Sequence, residues 1–316
     1  MQYRTLHNPP FLVSPLGIGT WVMGGWMWGG TSDRDSQEAL LCAFDHGVNL
    51  IDTAPIYGFG RAEEIIGATL KQYGKRDAVL IATKFGLEWD EKHRIRKNCS
   101  RARILAEIDQ SLRRLNTDYI DIYQVHWPDD NTSLIETMST LSRLQKEGKI
   151  RSFGVCNYSV NRIEKIIKHY HLQSIQMPFN LLEQQNKHTL FPFCTKNNLS
   201  VLAYGTLCKG LLTGKFTHRS VFNKTDSRYS DPAFKGEQFD RNLKIVEILS
   251  SFAAQKKCSL AQLCIEWTIS QPELTCALIG TRNRKQAEEN FSALDNPLFS
   301  SDDFSLFERS IAHLIL

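Results

Sequence analysis

Gly47-Val48-Asn49-Leu50-Ile51-Asp52-Thr53-Ala54-Pro55-Ile56-Tyr57 is the stretch that decides the fold. A short apolar run ends at a carboxylate, and a phenol follows in the next loop. Two later runs end in the same manner. Ala78-Val79-Leu80-Ile81-Ala82-Thr83 ends at Lys84, and Tyr119-Ile120-Asp121-Ile122-Tyr123-Gln124-Val125 ends at His126. A carboxylate, a phenol, an ammonium and an imidazole thus stand at the C-terminal tips of consecutive strands. A closed parallel barrel gathers such tips around one mouth. Together the four groups make a proton-transfer set.

The rest of the chain repeats the rhythm. Leu16-Gly17-Ile18 is the first strand, with a helix over 33–46. Helices follow the next three strands over 62–72, 101–115 and 133–147. In the second of these, Ile104, Leu105, Ile108, Leu112 and Leu115 keep helical spacing. The fifth strand, Ser152-Phe153-Gly154-Val155-Cys156, precedes a helix over 160–170. The sixth, Ser174-Ile175-Gln176-Met177, precedes one over 189–197. Leu199-Ser200-Val201-Leu202-Ala203 is the seventh, and Thr275-Cys276-Ala277-Leu278-Ile279 is the eighth, with a helix over 284–293. Eight such units in strict alternation predict a (β/α)8 TIM barrel, a single domain over residues 1–316. The residues before Leu16 suit an N-terminal hairpin across the barrel floor. The polar stretch 214–240, a long loop after strand seven, is expected over the active face. Helices are expected over 241–256 and 260–270, and the tail 302–316 reads as a C-terminal helix packed outside.

Composition narrows the function classes. With 316 residues, 42% hydrophobic and 23% charged, the chain can build a large core. The formal charge is only +4, and no Lys/Arg block suggests a nucleic-acid surface. Eight cysteines form no C-x-x-C pair, which predicts reduced thiols packed as small hydrophobes. No apolar run is long enough to span a bilayer, and the first ten residues lack an apolar core of the signal-peptide kind. A cytoplasmic protein with no membrane and no nucleic-acid partner is expected. Oligomeric state is open, with a monomer favoured.

These motifs together resemble the aldo-keto reductases. Asp52-Thr53-Ala54-Pro55-Ile56-Tyr57-Gly58, continuing through Glu63-Glu64-Ile65-Ile66-Gly67, is similar to the first signature of that family. Lys84 after Ala82-Thr83, and His126 in Val125-His126-Trp127-Pro128-Asp129, extend the likeness. Gly154-Val155-Cys156-Asn157-Tyr158 resembles the mid-chain signature. The likeness covers essentially the whole chain, in order.

The resemblance implies four catalytic residues: Asp52, Tyr57, Lys84 and His126. A carbonyl that receives hydride becomes an alkoxide and needs a proton, which Tyr57 would supply. A free phenol has a pKa of about 10, and a neighbouring ammonium lowers it. Lys84 is the expected neighbour, held by Asp52. His126 would orient the substrate oxygen. An ordinary buried ion pair would explain Asp52 and Lys84 alone, but not all four groups. No second His or Cys stands at ligand spacing from His126, so no metal is expected.

The cofactor residues follow from the same resemblance. Asn157 and Gln176 would bind the nicotinamide carboxamide, beside Cys156, which stands where the family commonly has Ser. Tyr204 would stack on the nicotinamide ring. Gly19, Thr20 and Trp21 at the first strand tip join Asp52 in this set. Gly205-Thr206-Leu207-Cys208-Lys209-Gly210-Leu211-Leu212-Thr213-Gly214-Lys215 looks like the pyrophosphate loop, with Thr206 where many members have Pro. In it Gly205, Thr206, Leu207, Lys209, Gly210, Leu211 and Lys215 are the expected contacts. Gly280-Thr281-Arg282, with Gln286, Glu289 and Asn290, resembles the adenosine-phosphate site, in the Gly-x-Arg form of bacterial and channel-subunit relatives. The planar fork of Arg282 suits a 2′-phosphate, so NADP (as NADPH) is expected over NAD. No G-x-G-x-x-G opens the chain, which excludes a Rossmann enzyme.

Trp21, Trp28, Trp89 and Trp127 are expected to form an aromatic substrate wall with Tyr57 and His126. Such a wall suits a small apolar carbonyl or the face of a sugar. The expected reaction is NADPH-dependent reduction of an aldehyde or ketone. Its rivals are an NAD(P)-dependent sugar or alcohol dehydrogenase, a nucleotide-binding regulatory subunit with little catalysis, and an epimerase or lyase that reuses the bound nucleotide.

Overall fold

The computed structural model describes residues 1–295 and 297–315. Its barrel strands are short and almost wholly buried, as parallel strands covered on both faces must be. They are β3 (Leu16–Gly19), β4 (Leu50–Asp52), β5 (Leu80–Phe85), β8 (Ile120–Val125), β9 (Ile150–Cys156), β10 (Ser174–Pro178), β11 (Ser200–Tyr204) and β12 (Cys276–Gly280). All eight pair in parallel in one closed barrel, ordered β10-β11-β12-β3-β4-β5-β8-β9. The strand tips that carry the motifs therefore share one end.

Helices clothe the outside. They are α1 (Asp33–Asp45), α2 (Arg61–Tyr73), α3 (Arg101–Leu115), α4 (Leu134–Lys146), α5 (Val160–Ile167), α6 (Gln185–Lys196), α7 (Gly236–Gln255), α8 (Leu260–Ile269), α9 (Arg284–Phe291) and α10 (Ser301–Ile311). Their starts are chemically marked. Ser32, Ser100 and Asn283 accept from backbone N–H groups as N-caps, and Ser259 with Gln262 forms a capping box.

The expected floor is present as a hairpin, β1 (Arg4–Leu6) with β2 (Phe11–Val13). Its Leu6, Phe11 and Val13 pack on Leu50, Leu80, Ala82, Ile122, Leu202, Cys276 and Leu278 and close the barrel from below. The aliphatic core thus lies under the mouth and leaves the mouth to charged and aromatic side chains.

Three features depart from strict alternation. A second hairpin, β6 (Leu87–Trp89) with β7 (Ile95–Lys97), is inserted after β5. No α-helix follows β11 directly; a 3-10 segment at Cys208–Thr213 stands there, and both α7 and α8 precede β12. α7 begins at Gly236, five residues before the expected start, and α6 begins at Gln185 rather than 189. The early turn of α6 is wholly polar, and that of α7 carries one apolar residue, the buried Phe239, so apolar spacing does not mark them. The expected tail helix ends at Ile311, with a 3-10 turn to Leu314, and Leu316 lies outside the described residues. All eight cysteines are free, seven of them buried. No helix among the described residues is long and apolar enough to cross a membrane.

Candidate active site

The tip of β4 delivers Asp52 and the tip of β5 delivers Lys84, which has no exposed surface. Lys84 Nζ lies 2.8 Å from both carboxylate oxygens of Asp52, 2.9 Å from the Thr53 carbonyl and 3.4 Å from the Tyr57 hydroxyl. Three ammonium protons thus face a carboxylate, a carbonyl and the phenol. Burial pulls the Lys84 pKa down, but Asp52 and Tyr57 more than offset it and the net shift is upward. Lys84 is a fixed cation at any working pH.

Tyr57 is placed by a close approach of two loops. A Cβ on Gly24 would stand 2.4 Å from the Tyr57 carbonyl carbon, and one on Gly58 would stand 2.2 Å from the Gly24 oxygen. Gly58 also has φ +65°, a region that side chains disfavour. The glycines let the loop after β3 lie directly on the loop after β4. Trp21 then stacks on Tyr57 at 6.2 Å, and His126 meets the phenol edge-on at 5.8 Å.

The electrostatics correct one expectation. Lys84 does pull the Tyr57 pKa down, but burial outweighs it and Asp52 adds to the rise, which leaves the phenol at about 12. Tyr57 therefore holds its proton near neutrality. His126 moves the other way. Burial, with the nearby Lys84 charge, pushes it well below the usual imidazole range. A neutral imidazole and a protonated phenol, side by side, offer two hydrogen-bond donors to one oxygen, without a negative charge to repel it.

Around this group lies a cavity of about 1080 Å³, lined by residues of β3, β4, β10, β11 and β12 and by His126 and Asn157, which directly follow β8 and β9. Most expected residues line it: Gly19, Thr20, Trp21 and Trp28 from the first loop; Asp52, Tyr57, His126 and Trp127; Asn157, Gln176 and Tyr204. The β11 loop contributes Gly205, Thr206, Leu207, Lys209, Gly210 and Lys215, and the β12 end contributes Gly280, Arg282, Gln286, Glu289 and Asn290. Lys84, Cys156, Leu211 and Thr281 are buried behind the wall. Trp89 is elsewhere. It packs on Phe59 at 5.5 Å and under the Arg103 guanidinium, and its hairpin presents Leu87 and Ile95 to the cavity instead.

Several polar side chains on the wall are already tied together. Gln176 Nε2 donates to Asp52 at 2.7 Å, Asn157 Nδ2 to the His126 carbonyl at 3.1 Å, and the Tyr204 hydroxyl to Asn157 Oδ1 at 2.9 Å. Burial pushes the Cys156 thiol up, so it stays protonated beside Asp52 and Lys84.

The two ends of the groove fit the phosphates of a dinucleotide. After β11, Cys208, Lys209 and Gly210 take positive φ in succession, at 44°, 50° and 89°. Among the described residues, the Thr206 and Leu207 N–H groups donate to no internal acceptor. The Cys208 and Gly210 amides are taken by the Gly205 and Leu207 carbonyls, which leaves the Thr206 and Leu207 amides to donate to an anion. Beyond β12, Arg282, Lys215 and Arg228 converge closely enough that each of the first two is lowered by burial and then by its neighbouring guanidinium. Arg228 is paired with Asp226 at 2.6 Å. Arg282 and Lys215 meet no carboxylate at ion-pair distance among the described residues. The Thr281 hydroxyl is buried beside them with no partner among the described residues. This corner has positive charge to spare, as a phosphate dianion requires.

Arg228 is the residue that sequence reasoning misses. It sits in the long 214–240 stretch, where no local pattern singles it out. Long-range contacts place it. Its guanidinium lies over Trp28 at 5.4 Å and Phe222 at 4.9 Å, while Ser227 N donates to the Met27 carbonyl at 2.9 Å. Lys209 pairs with Asp231 at 2.6 Å, which draws the same stretch across the groove.

Comparison with known proteins agrees with this geometry. The model of the Aldo/keto reductase family matches residues 15–312. Aldo-keto reductase YhdN of Bacillus subtilis is 42% identical over 91% of this chain and 87% of its own length. A protein named NADH-specific methylglyoxal reductase, from Escherichia coli, is 34% identical over 96% of each chain. Among solved structures, a glycerol dehydrogenase from Gluconobacter oxydans superposes with a TM-score of 0.90 at 35% identity, covering 99% of this chain and 96% of that one. An aldo-keto reductase from Klebsiella pneumoniae in complex with NADPH superposes with a TM-score of 0.75 at 26% identity, covering 98% and 96%. The chain belongs to the aldo/keto reductase family.

Proposed function

We propose that this enzyme reduces an aldehyde or ketone to the alcohol with NADPH, with Tyr57 as the general acid. The observation that carries the reading is the shared mouth. A protonated phenol, a neutral imidazole and a buried Lys84–Asp52 pair open into the groove that ends at the Arg282–Lys215–Arg228 corner. Bound NADPH supplies the hydride. The protein's part is to bind the carbonyl and deliver one proton.

His126 and Tyr57 hydrogen-bond the carbonyl oxygen from two sides and fix its orientation. As negative charge grows on that oxygen, the Tyr57 proton moves to it, because an alkoxide is a stronger base than a phenolate. Lys84, 3.4 Å from the phenol, stabilises the phenolate left behind. Asp52 holds Lys84 there, and Gln176 holds Asp52. Trp21, Trp28 and Trp127 give the substrate an aromatic wall, suited to a small carbonyl or a sugar face.

The choice of NADP over NAD rests on the cationic corner. A guanidinium can grip a 2′-phosphate through two parallel hydrogen bonds. The Escherichia coli relative is named as NADH-specific, so the nucleotide is the point to test. Dissociation constants for NADPH and NADH, by fluorescence quenching, test it. Arg282→Ala should weaken NADPH roughly ten- to a hundred-fold, the worth of a hydrogen bond to a charged group, and barely change NADH. Equal weakening of both, or a wild-type preference for NADH, would overturn the NADP assignment. Turnover of NADPH with a panel of aldehydes and ketones tests the reaction class. The second reading is oxidation of a polyol or sugar, in line with the Gluconobacter relative, a glycerol dehydrogenase. It would lead if alcohols with NADP or NAD outpaced every carbonyl.

A further inference from the structure

Away from the mouth, on the outer layer, three metal-binding side chains from two helices meet. Cys42 and His46 stand four residues apart at the end of α1 and its C-cap, so both face one side of that helix. Glu288 faces them from α9. The ligand atoms of Cys42, His46 and Glu288 all lie within 4.8 Å of one another. Cys42 Sγ is 3.0 Å from Glu288 Oε2, and His46 Nε2 is 3.6 Å from Glu288 Oε1. The other ring nitrogen of His46 faces a fourth group, Asp295 Oδ2, at 3.5 Å.

We propose that Cys42, His46 and Glu288 bind one divalent cation of the zinc class, with Asp295 orienting His46. Thiolate, imidazole and carboxylate are the ligand types zinc takes, with bonds of about 2.3, 2.0–2.1 and 2.0–2.2 Å. Tetrahedral bonds of those lengths put the ligand atoms about 3.3–3.6 Å apart; His46 and Glu288 already stand at 3.6 Å, and Cys42 and Glu288, at 3.0 Å, need to part by about half an ångström. Thiolate with imidazole excludes magnesium and calcium, which take oxygen ligands. A carboxylate on the distal nitrogen of a metal-bound histidine fixes its tautomer and orientation, and Asp295 stands in that position. Thiolate and carboxylate together neutralise the dication. Arg284, the nearest competing cation, is drawn to Asp45 at 3.7 Å. Binding forms the metal–sulfur bond and releases the Cys42 thiol proton to solvent. With Glu288 exposed, the fourth position is open to water. The ion would clamp α1 to α9, the helices after the first and last barrel strands.

The test uses the full chain, stripped of metal with a chelator. Co²⁺ is the spectroscopic probe, and Zn²⁺ affinity is measured by competition with a chromophoric chelator. The expected result is one Co²⁺ per chain, with a thiolate-to-metal charge-transfer band that Cys42→Ser removes. Glu288→Gln and His46→Gln should each weaken Zn²⁺ at least ten-fold. Asp295→Asn should weaken it about ten- to a hundred-fold, the usual cost of losing such a supporting carboxylate. At one fixed Zn²⁺ concentration the melting temperature of the wild type should rise more than that of Glu288→Gln. Glu288 is on the surface, so that variant keeps the test intact if Cys42→Ser folds poorly. Failure to bind one equivalent overturns the proposal. So does a charge-transfer band that survives Cys42→Ser, or unchanged Zn²⁺ affinity in Glu288→Gln.

Discussion

Tyr57 keeps its proton because burial raises its pKa more than Lys84 lowers it, and His126 stays neutral for the matching reason that burial disfavours its cation. A pH dependence follows. A group at about 12 stays protonated, and one pushed well below the usual imidazole range stays neutral, across pH 6–9. Carbonyl reduction, followed where chemistry limits the rate, should therefore be flat over that range. A fall through pH 7–8 would show that Tyr57 or His126 titrates there. Lys84 and Asp52 differ in what they contribute. Lys84→Met removes the charge that stabilises the phenolate, so turnover should drop by about 10²-fold or more. Asp52→Asn leaves that charge beside Tyr57 and should be milder in rate. Removal of either partner of a buried pair costs about 3–5 kcal/mol of stability, so urea titrations should show both variants weakened. A larger rate loss for Asp52→Asn than for Lys84→Met, in folded protein, would assign the pair another role.

At the scale of elements, the site depends on how two loops touch. Gly24→Ala puts a methyl group 2.4 Å from the Tyr57 backbone, so the loop after β4 must shift. A misplacement of about 1 Å can cost on the order of 10²-fold in rate. Turnover should fall accordingly, while NADPH affinity, set at the far end of the groove, changes little. Unchanged turnover would mean the loop contact does not position the phenol. The long stretch after β11 makes a second claim. Arg228→Ala should weaken NADPH several-fold more than NADH, as measured by nucleotide quenching, because it removes a cation from the Arg282 corner. The barrel strands were legible because each is a short apolar run with a polar tip, such as Leu50–Asp52 and Ile120–Val125 followed by His126. Leu87–Trp89 and Ile95–Lys97 were not, since neither strand is buried and each is only three residues long, too short for the alternation in Leu87-Glu88-Trp89 to stand out. Residue type alone places Trp89 on the wall, and the hairpin turns it toward Phe59 and Arg103 instead. Arg228 was hidden because a ring two hundred residues earlier, Trp28, joins the nearby Phe222 in holding its guanidinium.

For the whole molecule, the division of labour runs along the barrel axis. Leu6, Phe11 and Val13 seal the lower end, and the mouth is left to the charged and aromatic groups. The eight strand tips converge only because the barrel closes, β9 on β10, so catalysis is a property of the closed ring. The central claim is that this mouth couples one proton from Tyr57 to nucleotide-linked carbonyl reduction. Single-turnover oxidation of bound NADPH by an aldehyde, compared between wild type and Tyr57→Phe, tests it most directly. Only a hydroxyl is removed, so NADPH should bind the variant as tightly as the wild type. The reduction rate should fall by about 10²–10⁴-fold, the usual contribution of a general acid. A variant that reduces the aldehyde at a rate near that of the wild type, with nucleotide bound, would contradict the account.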